Sequence, residues 1–414
     1  MTADNSSNSR WIYLAYFFNS FAMSLILQFY SYFINTGLGE TSLTINALAG
    51  SIPPFVGLFT VGIWGKWSDK LGKRKPFLLL GFIGTGISYL LLAFVNNVYL
   101  FIFISAVSMA FGVAADPSAL ALITHGVDEK GKVIGNYMFS RAFGWTGALV
   151  GGLYLTYVVP IEAGGMRNLF LISFMLMFIA ILVITFRVKD IEIEEIPETE
   201  QVSFTEVVRI RSVFLLFISV LIMMSAVQMI GYLMPVWMIT ELGGIPIYVG
   251  MGNSVAAISG AFLMPVLGRL GDKFGGKKIY LAAPTLYGLI YIVLSNVHDP
   301  FIAAIIWMSP VFPMYMAGSS LLAAQLTSDR QRARAMSAVS MAQGIGTSIG
   351  PVIGGYLVDT YLGLISRLFY MASLLNFIAL GIGSLIQCNR NKKEKEEDYN
   401  FDATSLVRST SLDE

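Results

Sequence analysis

Apolar residues along this chain run in long blocks, and each block is cut short by a cluster of charge, Gly, Pro or Asn. A membrane-spanning helix needs about 20 such residues, and twelve stretches qualify: 11–34, 44–65, 76–95, 98–124, 133–157 and 168–186, then 213–238, 247–268, 279–297, 301–326, 335–358 and 367–387. The first is longer than a signal-peptide core and has no cleavage site after it, so it reads as a retained helix. Prolines inside the blocks (Pro53, Pro54, Pro235, Pro265, Pro284, Pro351) fall where membrane helices bend rather than stop. Pro310 and Pro313 lie near the middle of the tenth block and predict an irregular helix there. The fold class expected is an all-α polytopic membrane protein of twelve transmembrane helices.

The blocks fall into two sets of six, and the chain repeats itself accordingly. Gly65-Lys66-Trp67-Ser68-Asp69-Lys70-Leu71-Gly72-Lys73-Arg74-Lys75 returns as Gly268-Arg269-Leu270-Gly271-Asp272-Lys273-Phe274-Gly275-Gly276-Lys277-Lys278, displaced by 203 residues. The same offset pairs Ser51 with Ser254, Gly57 with Gly260, Gly147 with Gly350, Gly151 with Gly354 and Gly152 with Gly355. A period of half the chain marks a duplicated domain, not a solenoid. The expected organisation is an N-tail (1–10), a six-helix bundle (11–186), a linker (187–212), a second six-helix bundle (213–387) related to the first by a pseudo-two-fold axis, and a tail (388–414).

Composition sharpens this picture in one respect and charge in another. The chain is 55% hydrophobic and 13% charged, with a mean hydropathy of +0.68, whereas soluble domains carry about 25% charge; little of it is soluble mass. The net charge of +1 is spread over loops, not gathered in a patch, which excludes nucleic acid as a partner. Of the 27 Lys and Arg, all but Arg141, Arg167 and Arg367 fall in the N-tail, the even-numbered loops, the central linker and the C-tail. The positive-inside rule then places both termini in the cytoplasm, with the plasma membrane as the expected location. Lipid is the surrounding partner. The single cysteine, Cys388, excludes an internal disulfide. The acid-apolar run from Asp190 to Glu200 reads as a surface linker with a short helix against the membrane, and the tail reads as disordered.

Two six-helix halves, each with Gly-x-x-x-Asp-x-x-Gly and a basic run between its second and third helices, resemble the major facilitator superfamily over residues 11–387. The resemblance implies alternating access of a small-molecule substrate to a cavity lined by helices 1, 4, 5, 7, 8 and 10, with the halves rocking as a monomer. It also implies that the repeated motif (Gly65, Asp69, Gly72, Lys73, Arg74 and Lys75; Gly268, Asp272, Gly275, Lys277 and Lys278) is a cytoplasmic latch of the outward-facing state. The chemistry agrees: the glycines permit close helix approach, the acids can cap a helix or pair with a cation, and the basic run meets anionic headgroups. Gly276 stands where the second copy would carry a basic residue.

Only Asp116 and Arg141 lie well inside a block, where an ionised side chain costs about 3 kcal/mol. Helices 4 and 5 form a hairpin with its tip at Asp128–Glu129, which puts both residues at one depth on neighbouring antiparallel helices. An ion pair is expected. Asn19 on helix 1 lies at similar depth, and Tyr137, Arg141 and Trp145 recur every four residues on one face of helix 5, opposite a stripe of Gly144, Gly147 and Gly151. An acid on helix 4, an arginine on helix 5 and an aromatic nearby resemble the sugar site of the lactose permease. This implies that Asp116 and Arg141 bind hydroxyls while Trp145 offers a flat apolar face. Gln228, Trp307, Tyr315 and Trp237 are the candidates from the second half. Helices 7 to 12 contain no intramembrane Asp, Glu or His, so Asp116 is the one candidate proton carrier, and a partner arginine would favour its ionised form.

The expected function is a secondary transporter of a small polar solute, a sugar or polyol first, by proton-coupled symport. The alternatives are an exporter of lipophilic compounds, for which the 29 Phe, 19 Tyr and 20 Met speak, and an uncoupled facilitator. Those residues also fill any helix bundle. Gly350-Pro351-Val352-Ile353-Gly354-Gly355 matches a drug-antiporter signature but lies on helix 11, not helix 5. A membrane enzyme would need paired carboxylates, metal ligands or a Ser/His set, and none is present; no metal or other cofactor is expected. The chain has no phosphate-binding Gly-x-x-x-x-Gly-Lys-(Ser/Thr) loop, which argues against an ATP-driven pump.

Overall fold

The computed structural model describes residues 3–127, 129–190 and 204–387, which form helices joined by short turns, without strands. Twelve helices cross the molecule. In the first half they are α1 (Asn8–Gly37), α2 (Leu43–Leu71), α3 (Lys75–Leu92), α4 (Val98–Thr124), α5 (130–157) and α6 (Gly165–Arg187). In the second half they are α7 (Arg211–Glu241), α8 (Pro246–Phe274), α9 (Gly276–Leu294), α10 (Pro300–Leu326), α11 (Asp329–Leu357) and α12 (Ile365–Ser384). All but α5 and α11 are apolar and long enough to span by themselves. Those two are repeat equivalents, and both begin with polar turns (Lys130-Gly-Lys132 and Arg330-Gln-Arg332-Ala-Arg334), which lowers their hydropathy.

The packing scheme is the same in both halves. α1 packs on α5 and α6, α3 on α4 and α6, and α2 on α4; α7 packs on α11 and α12, α9 on α10 and α12, and α8 on α10. Even the ends agree. α1 and α7 both finish in a π-helical turn, at Phe33–Gly37 and Trp237–Glu241. Aromatic side chains fill each core: Tyr30, Phe33, Phe101 and Phe170 in one, and Trp237, Tyr291 and Phe369 in the other. The expected fold class and the pairing of halves hold.

Several boundaries move. The repeated motif is not a loop: α2 continues through Asp69 and stops only where Gly72 turns left-handed (φ +62°), and α8 likewise runs through Asp272 to Gly275 (φ +84°). Polar residues at a helix end that leaves the membrane need no turn until a glycine supplies one. The N-tail is helical from Ala3 and extends α1. In the linker a short helix, Phe204–Val208, packs against α11; the run 191–203, Cys388 and the tail lie outside the described residues. α10 breaks between Trp307 and Val311 at Pro310, as expected, while Pro53, Pro54, Pro235, Pro265, Pro284 and Pro351 are carried within helices.

The two bundles meet along two antiparallel helix pairs, α2 with α11 and α5 with α8. Contact is concentrated at the end opposite the charged motif. There the Val352 N–H donates to Ser51 Oγ (3.1 Å), and the Leu149 N–H donates to Ser254 Oγ (2.9 Å). These are one contact made twice, 203 residues apart. Gly152 and Gly355 mark close approaches: a Cβ on Gly152 would lie 2.8 Å from the Pro246 carbonyl oxygen, and one on Gly355 would run into that of Leu43. Tyr232 of α7 covers Gly50 and donates to the Asn46 carbonyl on α2 at 2.9 Å. At the motif end, by contrast, a Cβ on Gly65 or Gly268 would meet nothing within 4 Å. The molecule is sealed at one end and open at the other.

Candidate functional site

The two intramembrane charges meet at helix breaks. α4 is interrupted at Val113–Ala114, so Asp116 stands in the first turn of Ala115–Thr124; α5 is interrupted at Trp145–Thr146, so Arg141 stands in the last turn of Lys130–Gly144. At both breaks N–H groups reach carbonyls three residues back (Ala114 to Phe111, Trp145 to Ala142), a local tightening of the helix. An anion at a helix start and a cation at a helix end are each favoured by the backbone dipole. The breaks therefore help to hold both charges within the helical hairpin.

Arg141 Nη1 donates to Asp116 Oδ2 at 3.0 Å and to the Tyr137 hydroxyl at 3.2 Å, and that hydroxyl donates to Asp116 Oδ1 at 3.2 Å. The expected ion pair is present. The guanidinium lies 5.6 Å from the Tyr16 ring centre and 5.5 Å from that of Tyr137, and the two rings meet edge-on at 4.8 Å. Both tyrosines are fully buried, whereas the side chains of Asp116 and Arg141 remain 47% and 32% exposed. A pair walled by aromatic rings on one side and open on the other can exchange its internal partner for a ligand.

Other expected members stand apart. Asn19 lies one turn beyond Tyr16 on α1; like Gln228 it is half-buried, and neither side chain is hydrogen-bonded among the described residues. Trp145 sits at the α5 break, where its carbonyl accepts from Ser254 of α8 at 3.0 Å; no ring contact ties its indole to Arg141. Trp307 turns to its own bundle, with its indole N–H 3.4 Å from Asn253 of α8. Trp237 is fully buried, edge-on against Phe369. Tyr137 is not opposite the glycine stripe: it precedes Gly144 by two turns and shares its face, because seven residues nearly close two helical turns. Cβ atoms on Gly144, Gly147 and Gly151 would all run into main-chain oxygens of α1, so that face is the α1 contact.

Sequence reading missed Tyr16, whose only signal is an aromatic one turn before Asn19. It also missed Gln343 of α11, whose Oε1 accepts from the Tyr315 hydroxyl at 3.0 Å and gives the second bundle a polar pair of its own. Among the described residues no group of His, Cys, Asp and Glu could hold a metal.

The motif residues are engaged within their own bundles. Arg74 pairs with Asp69 at 2.7 Å and bonds to Ser68 Oγ; the Arg74 and Lys75 N–H groups donate to Asp190. Lys75 Nζ donates to the Thr185 carbonyl in the last turn of α6, and Lys277 Nζ, the equivalent of Arg74 and not of Lys75, to the Ser384 carbonyl ending α12. Asp272 is exposed and makes no ion pair among the described residues.

Comparison with known proteins agrees with this architecture. The chain is 27% identical over 365 residues to the multidrug resistance protein MdtG of Dickeya zeae, covering 83% of this chain and 87% of that one. It is 28% identical over 306 residues to the multi-drug resistance efflux pump PmrA of Streptococcus pneumoniae, covering 71% and 74%. Among solved structures, a bacterial homologue of the human lysosomal transporter Spinster, inward-facing and occupied, matches with a TM-score of 0.75 at 14% identity over 93% of this chain and 97% of that one. The nucleoside transporter NupG matches with a TM-score of 0.76 at 12% identity over 91% and 99%. The family model of the Major Facilitator Superfamily matches residues 12–244 and again 216–409, once for each half, and the chain, a multi-pass membrane transporter and not an enzyme, belongs to that superfamily.

Proposed function

We propose that this protein exports lipophilic organic compounds from the cytoplasm across the plasma membrane by alternating access, with substrate engaging the Asp116–Arg141–Tyr137–Tyr16 cluster. With the basic loops and both termini in the cytoplasm, the open end faces inward and the sealed end outward. The observation that carries the substrate class is the state of the charged pair: it is neutralised internally and backed by two aromatic rings, in a chain whose second-half spans contain no intramembrane acid or histidine. Such a wall suits a ligand that is mostly apolar with one polar or cationic group, which the rings and the carboxylate can receive. The multidrug names of both relatives point the same way. A proton taken up by Asp116 would break the pair and couple export to the proton gradient.

The motif residues act in this scheme as the inner latch. Asp69 held by Arg74, and Gly65 and Gly268 facing open space, are what a released latch would look like.

The test is accumulation of a lipophilic cationic dye in cells expressing the wild type, Asp116→Asn or Arg141→Ala, beside uptake of a labelled disaccharide. Several-fold lower dye accumulation with the wild type, lost in both variants, is expected. Unchanged dye and raised disaccharide uptake would favour the second reading, sugar symport, which the hydroxyl-bridging capacity of the charged pair supports.

A further inference from the structure

Beyond the serine contacts, the sealed end carries one contact that each half makes in its own way. On the turn after α11, the Asp359 carboxylate accepts four hydrogen bonds from the start of α2: Ser42 Oγ at 2.9 Å, Leu43 N–H at 3.1 Å, Thr44 N–H at 2.8 Å and Thr44 Oγ1 at 2.7 Å. Near the end of α5, Thr156 Oγ1 accepts one, from the Ile247 N–H at the start of α8, at 3.0 Å. Thr156 and Asp359 are repeat equivalents, and so are Thr44 and Ile247.

The difference in chemistry follows from the helix starts. The first turn of a helix leaves its N–H groups without acceptors. α2 opens with Leu43 and Thr44, both of which have an N–H to satisfy. α8 opens with Pro246, which has none, so a single hydroxyl suffices there. Two backbone donors flanked by two hydroxyls call for a carboxylate, whose charge also suits a helix N-terminus.

α2 and α11 run antiparallel across the bundle interface, so each ends beside the start of the other. Each also carries an acid at its far end: Asp69 of the repeated motif in the last turn of α2, and Asp359 in the turn that follows α11. In this conformation Asp359 is bound to the opposite bundle, while Asp69 is bound to Arg74 of its own. We propose that Asp359 is the outer latch of the transport cycle, holding the inward-open state by gripping the start of α2, as the reciprocal of the inner latch at Asp69. The proposal depends on alternating access and not on which compound is carried.

Distances between paired labels test it without substrate. Tyr99 and Ile302 are exposed equivalents at the outer end, and Leu71 and Phe274 are exposed equivalents at the inner end. Each pair would be changed to Cys in a Cys388→Ser background and spin-labelled. Asp359→Ala is expected to lengthen the outer distance, shorten the inner one and raise the outward-open to inward-open ratio about tenfold, the scale of losing charge-assisted hydrogen bonds. Thr156→Ala should move it less. A ratio within twofold of wild type in Asp359→Ala overturns the proposal. Should that variant not fold, Thr44→Val keeps the side-chain shape and removes the shortest bond from the other side; a shift in the same direction supports the latch and an unchanged ratio overturns it. A failed dye assay with an intact Asp359 effect would leave the latch standing and remove only the substrate reading.

Discussion

Asp116 and Arg141 stabilise each other only as a pair, and half-exposure keeps that contribution near the 0–1 kcal/mol of solvated ion pairs. Removing one partner leaves an unpaired charge beside two buried rings, which costs more than removing both. Arg141→Ala is therefore expected to lower the melting temperature by several degrees, and Asp116→Ala combined with Arg141→Ala to recover most of it without restoring transport. Differential scanning fluorimetry beside the dye assay separates the two effects. Asp359 behaves differently. Its burial alone would raise the carboxyl, but hydrogen bonds from Thr44, Ser42 and Leu43 outweigh this and hold it below the usual carboxylate range. A depressed acid contributes fully above its unfolded value of about 3.9 and loses that contribution as pH falls through the lower folded one. The outer latch should thus be insensitive to pH between 5 and 8: the label-distance ratio of wild type to Asp359→Asn stays constant there, even with Glu40 close by, accepting from the Ser42 N–H. The pair was legible in the sequence, since two charges equidistant from a hairpin tip have few places to go. Asp359 was not, because a polar residue at a span end looks like solvent-facing trim until the partner helix is known.

Among helices, the informative positions are the glycines that the repeat singled out. Gly147 and Gly350 seat α5 and α11 against main-chain oxygens of α1 and α7 inside each bundle, whereas Gly152 and Gly355 sit between bundles. Sequence shows the offset but not this division, because helix facing requires knowing which neighbour lies on which side. Consequences differ accordingly. Gly147→Val should impair folding and surface expression. Gly355→Val should fold, yet wedge α11 from α2 and favour the outward-open state, read as increased labelling of a Cys at Ile52 from outside. Equal loss of expression in both would contradict the distinction. The unwinding of α4 at Val113 has a sequence cause in Pro117, which offers no N–H to the Val113 carbonyl and crowds it, and the α5 break at Trp145–Thr146 lies between Gly144 and Gly147; of the three breaks the sequence reading anticipated only that of α10, through Pro310.

For the whole molecule, the duplication is what made the fold readable: twelve apolar blocks, a doubled motif and a charge bias converge on one architecture. What composition left open is the conformation, because the same helices serve both states and only interface contacts tell them apart. The seam on α2 extends from Thr44, gripped by Asp359, down to Leu58, packed against Gly344. At 1.5 Å per residue that is a stopper about 20 Å deep, in a hydrocarbon layer of about 30 Å. A membrane that keeps its voltage cannot tolerate even a brief water thread through a carrier. A stopper of that depth, knit by backbone-to-hydroxyl contacts on both flanks, insulates the two sides of the membrane while the other end stands open, so the resting protein should carry no measurable leak current.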